Sequence, residues 1–170
     1  FLKQDNTKLV LLMIGGENKR YSPHSIDYLN LSMKVIKSLK NFNAKLLVSF
    51  SRRTPKKAIS IIDKSFSKYL KSYEILPMSE NNPYPDILKN IDYAIVTSDS
   101  VNMISEISTT PIPLFIHKFP KESGKILYFL NDLQNLGIIK IFENELFQFN
   151  KKQLNTNRTT LLKVNKFLGL

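Results

Sequence analysis

Apolar residues follow two alternating patterns along the chain, and the first is a series of short continuous runs. Leu9–Ile14 is one such run, and it ends in two glycines. Continuous runs are typical of buried parallel strands, because helices cover both faces of the sheet. By the same criterion we predict further strands at Lys45–Phe50, Tyr73–Leu76, Tyr93–Thr97, Pro113–His117 and, as a last short one, Ile138–Phe142.

The second pattern is helical spacing between those runs. From Ser25 to Lys40, apolar residues recur three or four positions apart, as they do on one face of a helix, at Ile26, Leu29, Met33, Ile36 and Leu39. Pro55 suits the first turn of a helix that runs to about Leu70. We predict further helices over the ranges 83–90, 100–108, 123–136 and 156–168.

Strands and helices that alternate through short links indicate crossover connections and a parallel sheet. The 170 residues show no internal repeat, no low-complexity stretch and no interior linker, so we predict one α/β domain, residues 1–170, with a Rossmann-like parallel sheet and helices on both faces. The apolar runs at Leu9–Ile14, Leu46–Phe50, Ala94–Thr97 and Leu114–Ile116 should be neighbouring parallel strands, covered on both faces.

Composition excludes several classes of site. The chain has no cysteine, which rules out disulfides and thiolate metal ligands and fits a reducing compartment. No apolar run reaches the ~18 residues that a membrane span needs, and the first residues do not form a signal peptide. We therefore expect a cytoplasmic protein, with peripheral association to the inner membrane as a further expectation.

The net charge of +11 favours an anionic partner, but it has a second explanation. The chain has 21 Lys against 4 Arg, together with 16 Asn, a bias that an AT-rich coding sequence also produces. The basic residues are spread along the chain and form no short cluster. Contact with an anionic membrane is thus one expectation, whereas nucleic acid is not an expected partner.

Parallel sheets bind ligands at the carboxyl ends of their strands, so the residues after each strand are the candidates for chemistry. Gly15 and Gly16 follow the first strand, where they allow a backbone to approach a ligand and turn amides to point at an anion. The loop matches neither the dinucleotide-binding glycine motif nor a Walker A loop. A plain tight turn is the alternative.

The second predicted strand leads into Ser51, Arg52 and Arg53. Two arginines among hydroxyls, just before a helix, suit a phosphate, and half of the arginines in this chain stand here. The alternative is a solvated loop in which a Ser or Thr caps the helix.

A polar loop after Thr97 opens the helix predicted at 100–108. Backbone amides from Ser100 to Asn102 could hold a phosphate, and Glu106, about two turns further, could accept both hydroxyls of a ribose. The alternative is Asp99 as the helix cap and Glu106 as a solvated residue.

Other chemistries find little support. His24 and His117 are the only histidines, and no carboxylate pair has metal-ligand spacing, so we expect neither a metal nor a bound cofactor. No serine elbow or cysteine nucleophile occurs. Lys118, Lys121 and Lys125 could line the same mouth, although such lysines are more often solvated.

Several blocks of the chain resemble a known family. They are Ile14-Gly15-Gly16, the segment Leu47–Pro55, Asn82-Pro83-Tyr84, and the segment Ala94–Glu106 followed by Pro111–Phe115. Together, over residues 8 to 145, they resemble the ELM family, which takes its name from a plant mitochondrial-fission protein. Its bacterial members often carry the label of a predicted nucleoside-diphosphate-sugar epimerase.

The block around Glu106 also resembles the C-terminal, donor-binding domain of GT-B glycosyltransferases. That resemblance implies that Glu106 binds the ribose, that Ser105 is the serine before it, and that Gly15-Gly16 are the glycines after the first strand. This chain departs by having Asp99 where those enzymes favour a small residue, which disfavours a nearby phosphate unless Asp99 caps the helix. They also need an N-terminal domain, so we expect one to precede Phe1.

The resemblance implies an NDP-sugar-binding domain of a GT-B-like glycosyltransferase that acts in envelope glycan or lipid glycosylation. The expected ligand-binding residues are Gly15, Gly16, Ser51, Arg52, Arg53, Ser100, Asn102 and Glu106, and the catalytic residues stay open. One alternative is a non-enzymatic interaction module on the same fold. The epimerase label is the other, although neither GxxGxxG nor Tyr-x-x-x-Lys, which such epimerases carry, occurs here.

Overall fold

Strands and helices alternate along the whole described part of the chain. The computed structural model describes residues 6–17, 22–40, 42–78, 84–120 and 124–154. The elements are β1 (Lys8–Ile14), α1 (Ser25–Leu39), β2 (Ala44–Phe50), α2 (Lys56–Tyr69), β3 (Tyr73–Ile75), α3 (Tyr84–Leu88), β4 (Tyr93–Thr97), α4 (Val101–Ser108), β5 (Leu114–His117), α5 (Lys125–Asn135) and β6 (Ile139–Ile141).

The six strands form one sheet in the order β3-β2-β1-β4-β5-β6, and each neighbouring pair is parallel. Leu12 in β1 is in register with Val48 of β2 on one side and with Ile95 of β4 on the other. The prediction of neighbouring parallel strands is therefore confirmed, as is the Rossmann-like α/β fold. The predicted helix at 156–168 lies outside the described residues.

Side chains of β1 alternate between the two faces of the sheet and explain why the run is continuously apolar. Val10, Leu12 and Ile14 face the core under α1 and α2, whereas Leu9, Leu11 and Met13 face the core under α4 and α5. All six are buried, and burial of each such side chain stabilises the fold by roughly 1.5–3 kcal/mol. Both faces of the sheet are thus closed, and only its strand ends are open to a ligand.

Helix α1 exists where the periodicity predicts it, but of the apolar stripe that predicted it only Leu39 is fully buried. Ile26, Leu29 and Met33 are exposed by 57%, 41% and 47%. The side chains that pack on the sheet are Tyr28, Leu31, Val35 and Leu39. Two apolar stripes run along this helix, and spacing alone cannot tell which one meets the sheet.

No helix in the described ranges is both long and apolar enough to cross a membrane.

Candidate functional site

The strand order places a topological switch point, here called the crevice, between the carboxyl ends of β1 and β4. After β1 the chain crosses to one face of the sheet through α1, and after β4 it crosses to the other face through α4. Ligands of parallel α/β sheets bind at this kind of switch point.

Gly15 ties the two strand ends together. Its backbone N–H donates to Thr97 Oγ1 at 2.8 Å, a buried hydrogen bond between the loops after β1 and β4. A Cβ atom at Gly15 would lie 2.5 Å from Asp99 Oδ2, so the carboxyl group of Asp99 occupies the space that a side chain would need. The glycine here is required by this close approach.

Gly16 meets the loop after β2 in the same manner. A Cβ atom at Gly16 would overlap the backbone carbonyl of Arg53 and would come within 2.6 Å of the Thr54 nitrogen. Because those are backbone atoms, no side-chain rotation could relieve the contact. The glycine pair therefore brings three loops together, namely those that follow β1, β2 and β4.

Backbone and hydroxyl hydrogen bonds hold the Ser51–Thr54 loop in place. The Ser51 N–H donates to the Ile14 carbonyl at 2.8 Å, and the Thr54 hydroxyl donates to the carbonyls of Ile14 and Gly15. Ser51 Oγ accepts from the Arg53 N–H at 3.2 Å. The alternative of a capping Ser or Thr is not what the structure shows, since the N-cap of α2 is Pro55. The loop is fixed, while the Arg52 and Arg53 side chains are exposed.

The start of α4 is buried and carries no side-chain cap. Ser100 is the N-cap, and its hydroxyl makes no capping hydrogen bond. The Ser98 hydroxyl instead accepts from the Phe119 N–H at 3.3 Å. Asp99 does not cap the helix either, because neither of its oxygens has a hydrogen-bond partner. The first-turn amides of α4 thus meet no capping side chain, as at helix starts that bind anions.

The structure brings some of the predicted residues into direct contact and leaves others at the surface. Gly15, Gly16, Ser51 and Arg53 meet through the bonds and contacts above, and Ser100 follows the Thr97–Asp99 segment that packs on Gly15. The exposed members of the predicted set are Arg52, Arg53, Asn102 and Glu106. They lie on the same loops or on α4, and their role in ligand binding stays a prediction.

Sequence reasoning missed three side chains that carry unpaired polar atoms beside this crevice. In the described part of the chain, the buried atoms without a hydrogen-bond partner are Tyr28 Oη, both carboxylate oxygens of Asp99 and His117 Nδ1. Burial raises the pKa of Tyr28, and the nearby charge of Asp99 adds to that effect. The position of His117 at a strand end was a usable signal, whereas nothing in the sequence marks Tyr28.

His117 closes one end of a groove of about 610 Å³ that runs along α1. Burial, assisted by the charge of Lys34, lowers the pKa of His117 to about 4. Lys37, Lys40 and Lys118 also line the groove, and none of the predicted ligand-binding residues does. Lys118 thus shares a groove with α1, Lys125 is solvent-exposed, and Lys121 lies outside the described residues.

A second groove, of about 570 Å³, includes Ala44 and Ser72, which lie at the amino ends of β2 and β3. It is thus at the edge of the sheet opposite the crevice. Within the described residues, no three His, Asp or Glu side chains are grouped closely enough to hold a metal ion.

Comparison with known proteins identifies the family. Residues 1–163 match the family described as Mitochondrial fission ELM1. The chain belongs to this family. It is 33% identical over 166 residues to the uncharacterized protein RP120 of Rickettsia prowazekii, covering 91% of this chain and 47% of that protein. It is also 33% identical over 95 residues to mitochondrial fission protein ELM1 of Arabidopsis thaliana, covering 56% of this chain and 22% of that protein.

Two solved structures with the same fold are GT-B glycosyltransferases. MurG of Acinetobacter baumannii superposes with a TM-score of 0.53 at 16% identity, over 99% of this chain and 47% of MurG. The glycosyltransferase SnogD of Streptomyces nogalater superposes with a TM-score of 0.52 at 11% identity, over 98% of this chain and 40% of SnogD. This ELM1-family chain therefore has a GT-B-like fold, and it spans about half the length of these proteins or less.

Proposed function

We propose that this ELM1-family domain binds a nucleoside-diphosphate sugar in the crevice between β1 and β4, as the donor-binding half of a GT-B-like glycosyltransferase. One observation carries the proposal: three loops meet at the switch point of the sheet, directly beside a helix start that no side chain caps. Backbone amides at such a start attract an anion. The GT-B-like fold agrees with this assignment.

In the proposed site, one group of residues binds the diphosphate and another binds the ribose. Glycines at positions 15 and 16 let the diphosphate approach the backbone, and the amides that follow Ser100 bind one phosphate. Arg52 and Arg53, exposed on a loop that is itself held rigidly, supply guanidinium groups that match phosphate oxygens. Glu106, exposed on α4, accepts hydrogen bonds from the ribose hydroxyls.

Sugar transfer needs an acceptor and a base, and neither is assigned to the described residues. In this proposal a further domain of the protein supplies them, and the matched proteins are indeed about twice as long as this chain. Whether the described domain takes part in envelope glycan or lipid glycosylation depends on the acceptor site and the base that the further domain supplies. The expectations of peripheral contact with an anionic membrane and of no metal or cofactor stay predictions.

A thermal-shift panel of UDP-, GDP-, ADP- and CMP-sugars tests the proposal. A ligand at a hundred times its dissociation constant adds about 2.7 kcal/mol to the free energy of unfolding. Glu106→Gln should then weaken binding of the active nucleotide sugar by about 10- to 100-fold, since a charge-assisted hydrogen bond is worth roughly 1.5–3 kcal/mol.

Glu143→Gln is the matched control, because Glu143 is also an exposed carboxylate, with 78% of its side chain accessible, but lies after β6. Its affinity should equal that of the parent protein. Equal affinity for Glu106→Gln would remove the ribose role, and the absence of binding by every sugar nucleotide would refute the proposed function.

The surface of α1 favours a second candidate, an interaction module on the same fold. Ile26, Leu29 and Met33 form an exposed apolar stripe on its outer side. Exposed apolar patches of this kind often contact another protein or domain. If no nucleotide binds, the three residues of this stripe should be replaced by serine and partner binding compared with that of the parent protein. A loss of partner binding would support the hypothesis of an interaction module.

A further inference from the structure

Asp99 lies inside the proposed site although it is not among the residues predicted to bind the ligand. Its carboxyl group rests on Gly15, where an added Cβ atom would lie 2.5–2.6 Å from Oδ2, Cγ and Oδ1. Both oxygens are shielded from solvent, and neither makes a hydrogen bond of ordinary geometry, although the Thr97 side chain is close enough to favour the ionised form. A buried carboxylate in this state is costly, because it has lost water and gained no partner.

Charged and titratable groups face Asp99 from three neighbouring segments. Arg53, on the loop after β2, favours its ionised form electrostatically. Tyr28, on α1, is close enough to interact with Asp99 electrostatically, and its hydroxyl is unpaired. Glu17, after the glycine pair, adds negative charge near Tyr28. The Thr97 hydroxyl, at the end of β4, accepts from the Gly15 N–H, and its own proximity to the Asp99 carboxylate favours the ionised form.

Burial outweighs the favourable charge of Arg53. It raises the pKa of Asp99 from 3.8 to about 6. The carboxyl group is therefore mostly ionised at pH 7 in the ligand-free protein, but its pKa lies only about one unit below that pH. A modest further rise of the pKa is enough to protonate it.

We propose that Asp99 is the proton-linked residue of this site: it is ionised when the crevice is empty and takes up one proton from solvent when a diphosphate ligand binds. A phosphate bound at the start of α4 would be close to the Asp99 carboxylate, because Asp99 directly precedes the N-cap Ser100, and a nearby like charge disfavours the ionised form. The neutral carboxyl group is also an O–H donor, which can pair with a phosphate oxygen. This inference rests on the proposed function.

The consequence is a ligand affinity that depends on pH. Between pH 6 and the higher pKa of Asp99 in the complex, affinity should rise by up to about tenfold for each unit of acidification. UDP-, GDP- and ADP-glucose are suitable probes, since their diphosphate is esterified at both ends and does not titrate in this range. Free UDP is unsuitable, because its terminal phosphate itself takes up a proton near pH 6.

Isothermal titration calorimetry tests the inference with the tightest-binding of these three sugar nucleotides. Titrations at pH 6.8 in buffers with different enthalpies of ionisation report the number of protons taken up on binding. We expect an uptake approaching one proton for the parent protein and none for Asp99→Asn. The affinity of the parent should also fall between pH 6 and pH 7.5, whereas that of Asp99→Asn should stay constant.

Asp92→Asn is the matched control, because Asp92 precedes the same strand at its opposite end and should leave proton uptake unchanged. Asp99→Ser replaces Asp99→Asn if the latter does not fold, and the pH dependence of the parent is informative without any variant. A ligand that binds without proton uptake, or uptake that persists in Asp99→Asn, overturns this inference alone. If none of the sugar nucleotides binds at either pH, the proposed function fails and the inference fails with it.

Discussion

Two aspartates flank β4, and their surroundings are opposite. Asp92, before the strand, accepts from Lys8 Nζ at 3.1 Å and from the Leu9 N–H at 2.9 Å. Asp99, after the strand, has no hydrogen-bond partner at either oxygen, and burial raises its pKa. The amino edge of the sheet is thus built for stability, whereas its carboxyl edge keeps unpaired polar groups. Buried polar groups without a hydrogen bond lower the stability of a fold, so those that a protein keeps often mark a functional site.

The largest expected effect is that of Gly16→Ala, which would break the carboxyl edge. The new methyl group would overlap backbone atoms of Arg53 and Thr54, so the loops after β1 and β2 must separate. We expect a loss of about 3 kcal/mol in the free energy of unfolding, the upper range for overpacking. Denaturant unfolding measures it, with Ser60→Ala, at an exposed position of α2, as the control. A variant as stable as the parent would show that the close approach of these loops is not required.

Asp99→Asn should have a smaller effect of the opposite sign. The native state holds the Asp99 proton more tightly than the unfolded chain, since the pKa is about 6 against an ordinary value of 3.8. The stability that the protonated group contributes is complete below about pH 4 and is lost as the pH rises through 6. The Asn variant should therefore be more stable than the parent by roughly 2–3 kcal/mol at pH 7.5, since each unit of the shift is worth about 1.4 kcal/mol.

That advantage should largely disappear by about pH 3.5, below the ordinary pKa of an aspartate. The lowered pKa of His117 makes both proteins less stable as the pH falls from 6.5 towards 4, so only the difference between them isolates Asp99. Paired unfolding curves at the two pH values give this difference. A pH-independent difference would mean that Asp99 has an ordinary pKa.

The smallest changes in the free energy of unfolding are expected at the amino edge of the sheet, and they sharpen the contrast between Asp92 and Asp99. Asp92→Ala should destabilise by about 1.5 kcal/mol, because the partly buried Leu9 amide loses its acceptor. Lys8→Ala should cost only about 0.5 kcal/mol, because it removes one exposed ion pair. Thermal unfolding of both variants beside Asp99→Asn gives the comparison. If Asp92→Ala were stabilising, the two ends of β4 would not differ in the way described.

Much of the fold could be predicted because continuous apolar runs have a single physical explanation. Val10, Leu12 and Ile14 on one face and Leu9, Leu11 and Met13 on the other require a sheet covered on both sides. Parallel strands in turn place the residues after β1, β2 and β4 at one edge. The existence of a candidate site at Gly15, Ser51 and Ser100 follows from that topology alone.

The local sequence pattern could not predict the structure where two arrangements satisfy the same pattern equally well. Helix α1 carries two apolar stripes, and the contact with the sheet selected Tyr28, Leu31 and Val35 over Ile26 and Leu29. The Thr54 hydroxyl could have capped α2, but the approach of the β1 loop turned it towards the Gly15 carbonyl. Both outcomes depend on neighbours that are distant in sequence.

The amino-acid sequence by itself determined the alternation of strands and helices, the parallel sheet and the edge at which polar loops gather, because hydrophobic periodicity and turn residues act over short distances. Only the tertiary structure decided which polar groups would be paired. Asp92 and Asp99 are the same residue type at the two ends of one strand, and nothing local separates them. Lys8 and the Leu9 amide reach the first, whereas Gly15 packs against the second and offers it no donor. The state of a buried carboxyl group is set by the atoms that surround it in space.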